Sequence, residues 1–423
     1  MRILIVGQGG REHAIGWRLS QNPTVDRLFA APGNAGLEEV ATCVHVAATD
    51  IPGIVELVDR EGIDLTVVGP EAPLVAGLVD ELDRHGFRAF GPTADGARIE
   101  GSKAWAKELC EKHGIPAPRS RSFTEPADAI ESLDAMEPPY VVKADGLAGG
   151  KGVTIAGSKA EAVQAIEDRL VRRSFGKAGA RVLVEEHLSG REVSAVAVTD
   201  GRAVVPLMLA QDFKRALDGD EGPNTGGMGA YSPVPFVDDE MQSRIVDDVL
   251  KAAVAAMDTE GIQYRGALYA GLMLTEEGPK VLEFNCRLGD PETQAVLPRL
   301  TSDLGESLLA CVEGNLGVYR LGWSPLACVT VVLASGGYPD NHPMGLPITG
   351  LEDAASIPDV MVFHAGTTRR DGRVVTAGGR VLAVSALGDD LAAARRRAYE
   401  AASLISFEGM QYRKDIAEEA ASG

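Results

Sequence analysis

Three short stretches hold the side chains best suited to chemistry. In KADGLAGGKGV, residues 143–153, Lys143 and Lys151 flank a run of glycines behind the apolar Tyr140, Val141 and Val142. Such a loop leaves backbone N–H groups uncovered beside two ammonium groups, which suits a strongly anionic ligand, most simply a phosphate chain. In VLVEEHLSGREVS, residues 182–194, a strand ends on acidic residues. The edge after Glu185 can offer backbone groups to an adenine, and Glu192 can accept ribose hydroxyls. In KVLEFNCRLGDPETQ, residues 280–294, Glu283 and Asn285 stand two apart, so on a strand both oxygens share one face. That pair suits Mg²⁺, a hard cation that needs few protein oxygens when phosphates and water complete its shell.

Each stretch also has a plain structural explanation. The glycine loop could be a hairpin turn, Glu185 and Glu186 an exposed strand end, Glu283 and Asn285 a solvent-facing pair. A Walker P-loop fails twice: Asp145 stands where its first glycine belongs, and Lys151 is followed by Gly152 instead of a hydroxyl residue. The ordered set of lysine, glycine loop, two glutamates and asparagine is what favours a nucleotide-binding site over these separate explanations.

The elements around these stretches alternate. RILIVG (2–7), DRLFAAPG (26–33), DLTVVGP (64–70) and RAFGP (88–92) read as short buried strands, with helices beginning near Arg11, Ile51 and Pro73. That rhythm implies a parallel sheet whose ligands bind at the carboxyl ends of the strands. Three ends carry GQGGREH (7–13), APGNAG (31–36) and GPEAPL (69–74), candidates for one shared pocket. A dinucleotide fingerprint is disfavoured because its sixth position is Glu12 and the second strand ends without an acidic residue. A phosphate at the helix N-terminus is still compatible with the loop.

Beyond a helical stretch with Lys103, Trp105 and Lys107, the turn GIPAPRS (114–120) marks a boundary. A compact unit over 121–187 follows: a helix near Pro126, the strand YVVKA, the glycine loop, a helix near 158–172 and the strand RVLVEEHL. Residues 190–311 read as strands with a long polar insertion at 214–233. After about 325 the strands are expected to be short and closely spaced, closed by a helix near 389–405.

With 423 residues the chain has room for several domains. A formal net charge of −20 argues against a nucleic-acid partner, and no run is long enough for a membrane span. MRILIVG runs straight into a glycine turn, as a buried strand and not a signal peptide does. Five scattered cysteines, Cys43, Cys110, Cys286, Cys311 and Cys328, point to the reducing cytoplasm. The seven histidines show no zinc-site spacing.

The order of these features resembles the ATP-grasp fold. The motifs GQGGREHA, GNAG, GPEAPL, VVKADGLAGGKGV, QDFKR, GPNTGGMGAYSP and EFNCRLGDPETQ resemble those of the phosphoribosylamine–glycine ligases, the glycinamide ribonucleotide synthetase family. The resemblance runs from residue 1 into the C-terminal region. It implies an α/β and α+β multidomain architecture: a Rossmann-like N-terminal domain (1–100), a connecting helix and linker (101–120), a small ATP-grasp lid lobe (121–187), a large lobe with the metal site (188–325) and a small mostly-β C-terminal domain (326–423). It implies ATP-dependent ligation of glycine to 5-phosphoribosylamine through glycyl phosphate, with ATP and Mg²⁺ (or Mn²⁺) as cofactors, no nucleic acid or membrane, and a monomer as the expected state with a dimer left open.

Carried across by position, Lys103 and Lys143 would contact ATP phosphates, and Gly146, Gly149, Gly150, Lys151 and Gly152 would cover them. Glu185, His187 and Glu192 would hold adenosine, and Glu283 and Asn285 the metal. Arg287 would pair with a carboxylate or phosphoryl group, and Asp212 with glycine's ammonium; Lys143, Arg287 and Asp212 are the expected catalytic set. Gly10, Asn34 and Glu71 would grip the ribose phosphate. One departure from the wider fold is ALYAGLML (267–274), which lacks the acidic metal ligand that many ATP-grasp enzymes carry there. That leaves the number of metal ions open.

Overall fold

A computed structural model describes residues 1–148 and 152–422, without the side chain of Lys177. The first hundred residues build a parallel sheet in the order Thr42–Cys43, Arg27–Pro32, Arg2–Gly7, Leu65–Val68, Ala89–Phe90. Its apolar central strands are buried on both faces by helices, as parallel sheets require. The edge strand Thr42–Cys43 is too short for sequence periodicity to show. Local chemistry sets the helix limits. Helix Ile51–Glu61 starts where Asp50 accepts the Gly53 N–H at 3.1 Å and stops at Gly62, whose φ of 61° suits a residue without a side chain.

Helix Lys103–His113, capped by Ser102, leads into the small lobe. There an antiparallel sheet runs Ser120–Phe123, Val182–Glu186, Tyr140–Ala144, Val153–Ala156. Helices Pro126–Ser132 and Lys159–Leu170 pack on it around a separate apolar core that includes Leu133, Tyr140, Val142 and Ile166. The large lobe is a second antiparallel sheet in the order Val204–Pro206, Arg191–Thr199, Gly266–Thr275, Gly278–Asn285. The region read as strands also holds a helical run from Asp239–Arg244 to Ala252–Thr259 and the helix Leu304–Val312.

The C-terminal sheet differs from expectation in two ways. Its main strands, Ala327–Ala334 and Arg380–Gly388, are long rather than short. Two of its five strands come from upstream, since Gln211–Asp212 pairs with Gly229–Ser232, which pairs in turn with Ala327–Ala334. The insertion expected at 214–233 is thus partly strand, with a hairpin of Arg215–Leu217 and Glu221–Asn224 between. Among the described residues no helix is long and apolar enough to cross a membrane, and all five cysteines are free.

The N- and C-terminal domains meet at two buried histidines. His13 Nδ1 accepts the His364 backbone N–H at 2.8 Å, and Asn34 Nδ2 donates to the His364 carbonyl at 2.7 Å. Burial, then His364, lowers the His13 pKa to about 3; burial, then Arg369, lowers that of His364 to about 4. An unfolded chain takes up these protons near pH 6.5 and the folded one does not, so this contribution is complete above about 6.5 and is lost as pH falls. Between about pH 6 and 5, His13→Asn should flatten the dependence of unfolding free energy on pH by about 1.4 kcal/mol per unit. Urea titrations at the two pH values measure it, and equal slopes in variant and wild type would refute it.

Candidate active site

Lys143 leaves the central part of the small-lobe sheet and reaches the large lobe. Its Nζ donates to the Leu282 carbonyl at 3.0 Å and pairs with Glu185 Oε2 at 2.8 Å. Lys107 approaches the same oxygen at 3.6 Å and donates to the Val281 carbonyl at 2.8 Å. Glu185, 1% exposed, is therefore turned inward beneath Lys143, not toward the open cleft. The cause is electrostatic: a buried carboxylate needs partners, and the two lysines hold its pKa below the usual range against the effect of burial. The exposed side chain at this strand end is His187. The loop over the cleft begins at Asp145, which accepts the Ala104 N–H and the Ser102 hydroxyl, each at 3.1 Å, at the N-terminus of the Lys103 helix. Gly146 has φ 104°, which favours glycine, and its carbonyl accepts from Lys103 Nζ at 3.4 Å. Gly152 accepts the Ala144 N–H at 2.8 Å and closes the loop base. Gly149, Gly150 and Lys151 lie outside the described residues.

Glu283 and Asn285 end the strand Gly278–Asn285, opposite Gly271 and Tyr269 of its neighbour. Among the described residues neither side chain forms a hydrogen bond or ion pair. Burial raises the Glu283 pKa, but Lys214, Lys103, Lys143 and Arg287 outweigh it and hold the carboxyl below its ordinary value. An ionised carboxylate and an amide oxygen, with cations around them, fit a divalent metal bearing phosphates. Gly271 supplies space, since a Cβ there would lie 3.3 Å from Glu283 Cγ.

Beside the pair lies a polar cluster built on Arg191–Thr199. Ser194 Oγ lies 3.4 Å from Asp212 Oδ1, 3.0 Å from the Tyr269 hydroxyl and 2.9 Å from Glu292 Oε1. Glu192 pairs with Lys214 at 2.9 Å. Burial pushes the Asp212 pKa up to about 7; Lys214 opposes this, while Glu292, Glu192 and Glu283 add to it. The result is a pocket with surplus negative charge, able to take an ammonium group.

The three N-terminal loops do converge: GQGGREH and GPEAPL meet residues 287–294, while APGNAG reaches GQGGREH through Asn34. Arg287 pairs with Glu71 at 3.3 Å and Glu100 at 3.2 Å. Arg11 and Arg287 both donate to the Leu288 carbonyl, at 3.1 and 3.2 Å. A Cβ on Gly10 would sit 2.6 Å from Gln294 Nε2, so glycine permits this approach. Asn34 sits differently from a residue reaching for a ligand. Its Nδ2 donates to the Gln8 and His364 carbonyls, while its Oδ1 accepts the Gly36 and Leu37 N–H groups at 3.0 and 2.9 Å. Its side chain shapes the loop. Glu12, 2% exposed, accepts the Gly9 N–H at 2.5 Å and fills the space beside Gly7 and Gly69. Glu12 thus stands where the dinucleotide pattern has its third glycine.

Family models for the phosphoribosylglycinamide synthetase N domain, ATP-grasp (A) domain and C domain match residues 1–100, 101–293 and 328–419. The chain belongs to the phosphoribosylglycinamide synthetase family. It is 50% identical to a phosphoribosylamine–glycine ligase of Allochromatium vinosum over 419 residues, covering 98% of each chain. A crystal structure of the Thermotoga maritima phosphoribosylamine–glycine ligase superposes with a TM-score of 0.86 at 36% identity, covering 99% of this chain and 100% of that one. The biotin carboxylase domain of Hydrogenobacter thermophilus 2-oxoglutarate carboxylase, in complex with MgADP and bicarbonate, shares the fold: TM-score 0.74 at 16% identity, covering 97% of this chain and 91% of that one.

In this synthetase-family site, six residues escaped the sequence reading as site residues: Glu100, Lys107, Ser194, Lys214, Tyr269 and Glu292. Lys214 and Glu292 lie inside quoted motifs, QDFKR and GDPETQ, and could have been found by asking which charges a buried site must balance. Glu100 and Lys107 sit on helices with no local signal, and only the fold brings them to residues 281–287.

Proposed function

We propose that the chain joins glycine to 5-phosphoribosylamine at the expense of ATP, giving glycinamide ribonucleotide, ADP and phosphate, an early step of purine synthesis. The observation that carries this beyond family membership is the arrangement around Glu283. An unengaged carboxylate ringed by cations lies beside the acidic Asp212 pocket, and Arg287, one of those cations, pairs with Glu71 of the third N-terminal loop.

A carboxylate is a poor acylating agent, so glycine's oxygen first takes the γ-phosphoryl group, and the amine of phosphoribosylamine then displaces phosphate. Charge spreads over the transferring oxygens, which calls for cations placed in advance. Lys103 and Lys143 supply them at the phosphates, with Glu185 acting through Lys143. The loop from Gly146 to Gly152, with Gly149, Gly150 and Lys151, covers them, and the 121–187 unit closes as a lid that keeps water from the acyl phosphate. His187 and Glu192 hold adenosine. Glu283 and Asn285 would bind Mg²⁺ or Mn²⁺, which neutralises phosphate charge. Arg287 holds the acyl phosphate end, Asp212 takes glycine's ammonium, and Gly10, Glu71 and the loop shaped by Asn34 grip the ribose phosphate. Monomeric action in the cytoplasm completes the reading.

ADP release in the presence of ATP and Mg²⁺ tests it, with glycine alone, with glycine and freshly made phosphoribosylamine, and with formate or bicarbonate replacing glycine. Release that needs both glycine and the amine is expected. Release driven by another carboxylate would move the activity to a different ligase on the same fold.

A further inference from the structure

Among the described residues Arg413 is the largest fully buried side chain, 2% exposed, and lies far from the residues assigned to catalysis in sequence. It enters from the segment after helix Leu391–Leu404 and closes on the hairpin that follows Asp212. Its Nε and Nη2 donate to the two Asp415 oxygens at 2.7 and 2.6 Å, and its Nη1 donates to Asp220 Oδ1 at 2.7 Å and the Arg215 carbonyl at 3.2 Å. The guanidinium carbon stands 4.9 Å from the centre of the Phe213 ring. Two backbone groups complete the clasp: Lys414 N–H donates to Asp218 Oδ1 at 2.7 Å and Gly219 N–H to Asp415 Oδ2 at 2.8 Å.

Phe213 stands between Asp212 and Lys214. In extended backbone, successive side chains point to opposite faces. The contacts show that alternation. Asp212 and Lys214 reach Ser194 and Glu192 on one side, while Phe213 meets Arg413 and Tyr231 on the other. A planar guanidinium held by four hydrogen bonds and laid on the ring has little freedom. Whatever holds Phe213 therefore aims its two charged neighbours.

We propose that Arg413 is a positioning residue for glycine binding, holding Phe213 so that Asp212 and Lys214 face the cleft. The inference rests on the reading that Asp212 takes glycine's ammonium.

The test measures initial rates with glycine and ATP varied separately, in Arg413→Met, Arg413→Lys, Phe213→Leu and Asp212→Asn. A misaimed Asp212 should raise KM for glycine between about tenfold and a hundredfold in Arg413→Met, and KM for ATP by less than about twofold. Arg413→Lys keeps a charge for Asp415 but loses the fork and the stacking, so an intermediate rise is expected. Phe213→Leu should reproduce the same split, and with Arg413→Lys it carries the test if Arg413→Met does not fold. A merely structural role would lower the active fraction or move both KM values together, and either result overturns the proposal. If Asp212→Asn raises KM for glycine and neither Arg413 variant nor Phe213→Leu does, the positioning role alone is wrong. If Asp212→Asn leaves KM for glycine unchanged, the glycine subsite is wrong, and the role resting on it goes with it.

Discussion

Glu283→Gln should lower kcat on the order of 10³-fold while leaving metal-free ADP binding within about tenfold of wild type. The substitution keeps size and hydrogen-bonding capacity but removes the one charge that Lys214, Lys103, Lys143 and Arg287 hold in its ionised form. What is lost is the anionic metal ligand, and with it the means of neutralising the phosphoryl group in transfer. Nucleotide affinity in the absence of metal draws on the lysines and the adenosine contacts, which the change leaves in place. Single-turnover ADP formation together with ADP titration by calorimetry separates the two. Retention of more than about a tenth of wild-type kcat would remove Glu283 from the metal site, and a parallel collapse of ADP binding would make it a nucleotide contact instead.

Arg287→Met should cost about 3–5 kcal/mol of stability near pH 8, because it strands two carboxylates that share one cation. Arg287 lies 3.3 Å from Glu71 and 3.2 Å from Glu100. Burial already raises the Glu100 pKa, with Arg287 opposing it and Glu71 adding to it, while Arg287 and Arg11 hold that of Glu71 down against burial. Without the guanidinium both folded-state pKa values rise. A carboxyl raised above its unfolded value binds more protons in the folded state, so the variant recovers relative to wild type as pH falls and loses ground as pH rises. Urea unfolding of both proteins at about pH 8 and pH 5.5 reads the difference directly, and the acid sensitivity of His13 and His364 cancels because both proteins share it. A deficit equal at the two pH values would mean that the carboxylates find other partners.

Much of this was legible in residue order. The strand ends that carry GQGGREH, APGNAG and GPEAPL are audible as apolar runs breaking into glycine; the structure brings the first and third to residues 287–294 and the second against the first. Glu283 and Asn285 share a face because a strand has a period of two. What the sequence could not show has physical causes. Asn34 is carried over from the family resemblance as a ribose-phosphate contact, and here its short amide bonds its own backbone. Glu185 is carried over in the same way as an adenosine contact. Its carboxylate turned inward because Lys107, on a helix more than seventy residues upstream, arrived there first in space and not in sequence. The segment 214–233 looked like an inserted loop because the strands beside and within it, Gln211–Asp212 and Gly229–Ser232, are two and four residues long, below the length at which alternation can be recognised.

Those two strands also bear on how the protein comes into being at the ribosome. Gly229–Ser232 has Ala327–Ala334 as its neighbour on one side and Gln211–Asp212 on the other. A nascent chain that has finished every residue assigned to nucleotide, metal and amino acid still lacks Ala327–Ala334, the strand on which Gly229–Ser232, the partner of Gln211–Asp212, is laid. A chain cut off before Ala327 would carry the whole list of reactive side chains but leave Gly229–Ser232, and through it Gln211–Asp212, without the rest of the sheet it joins.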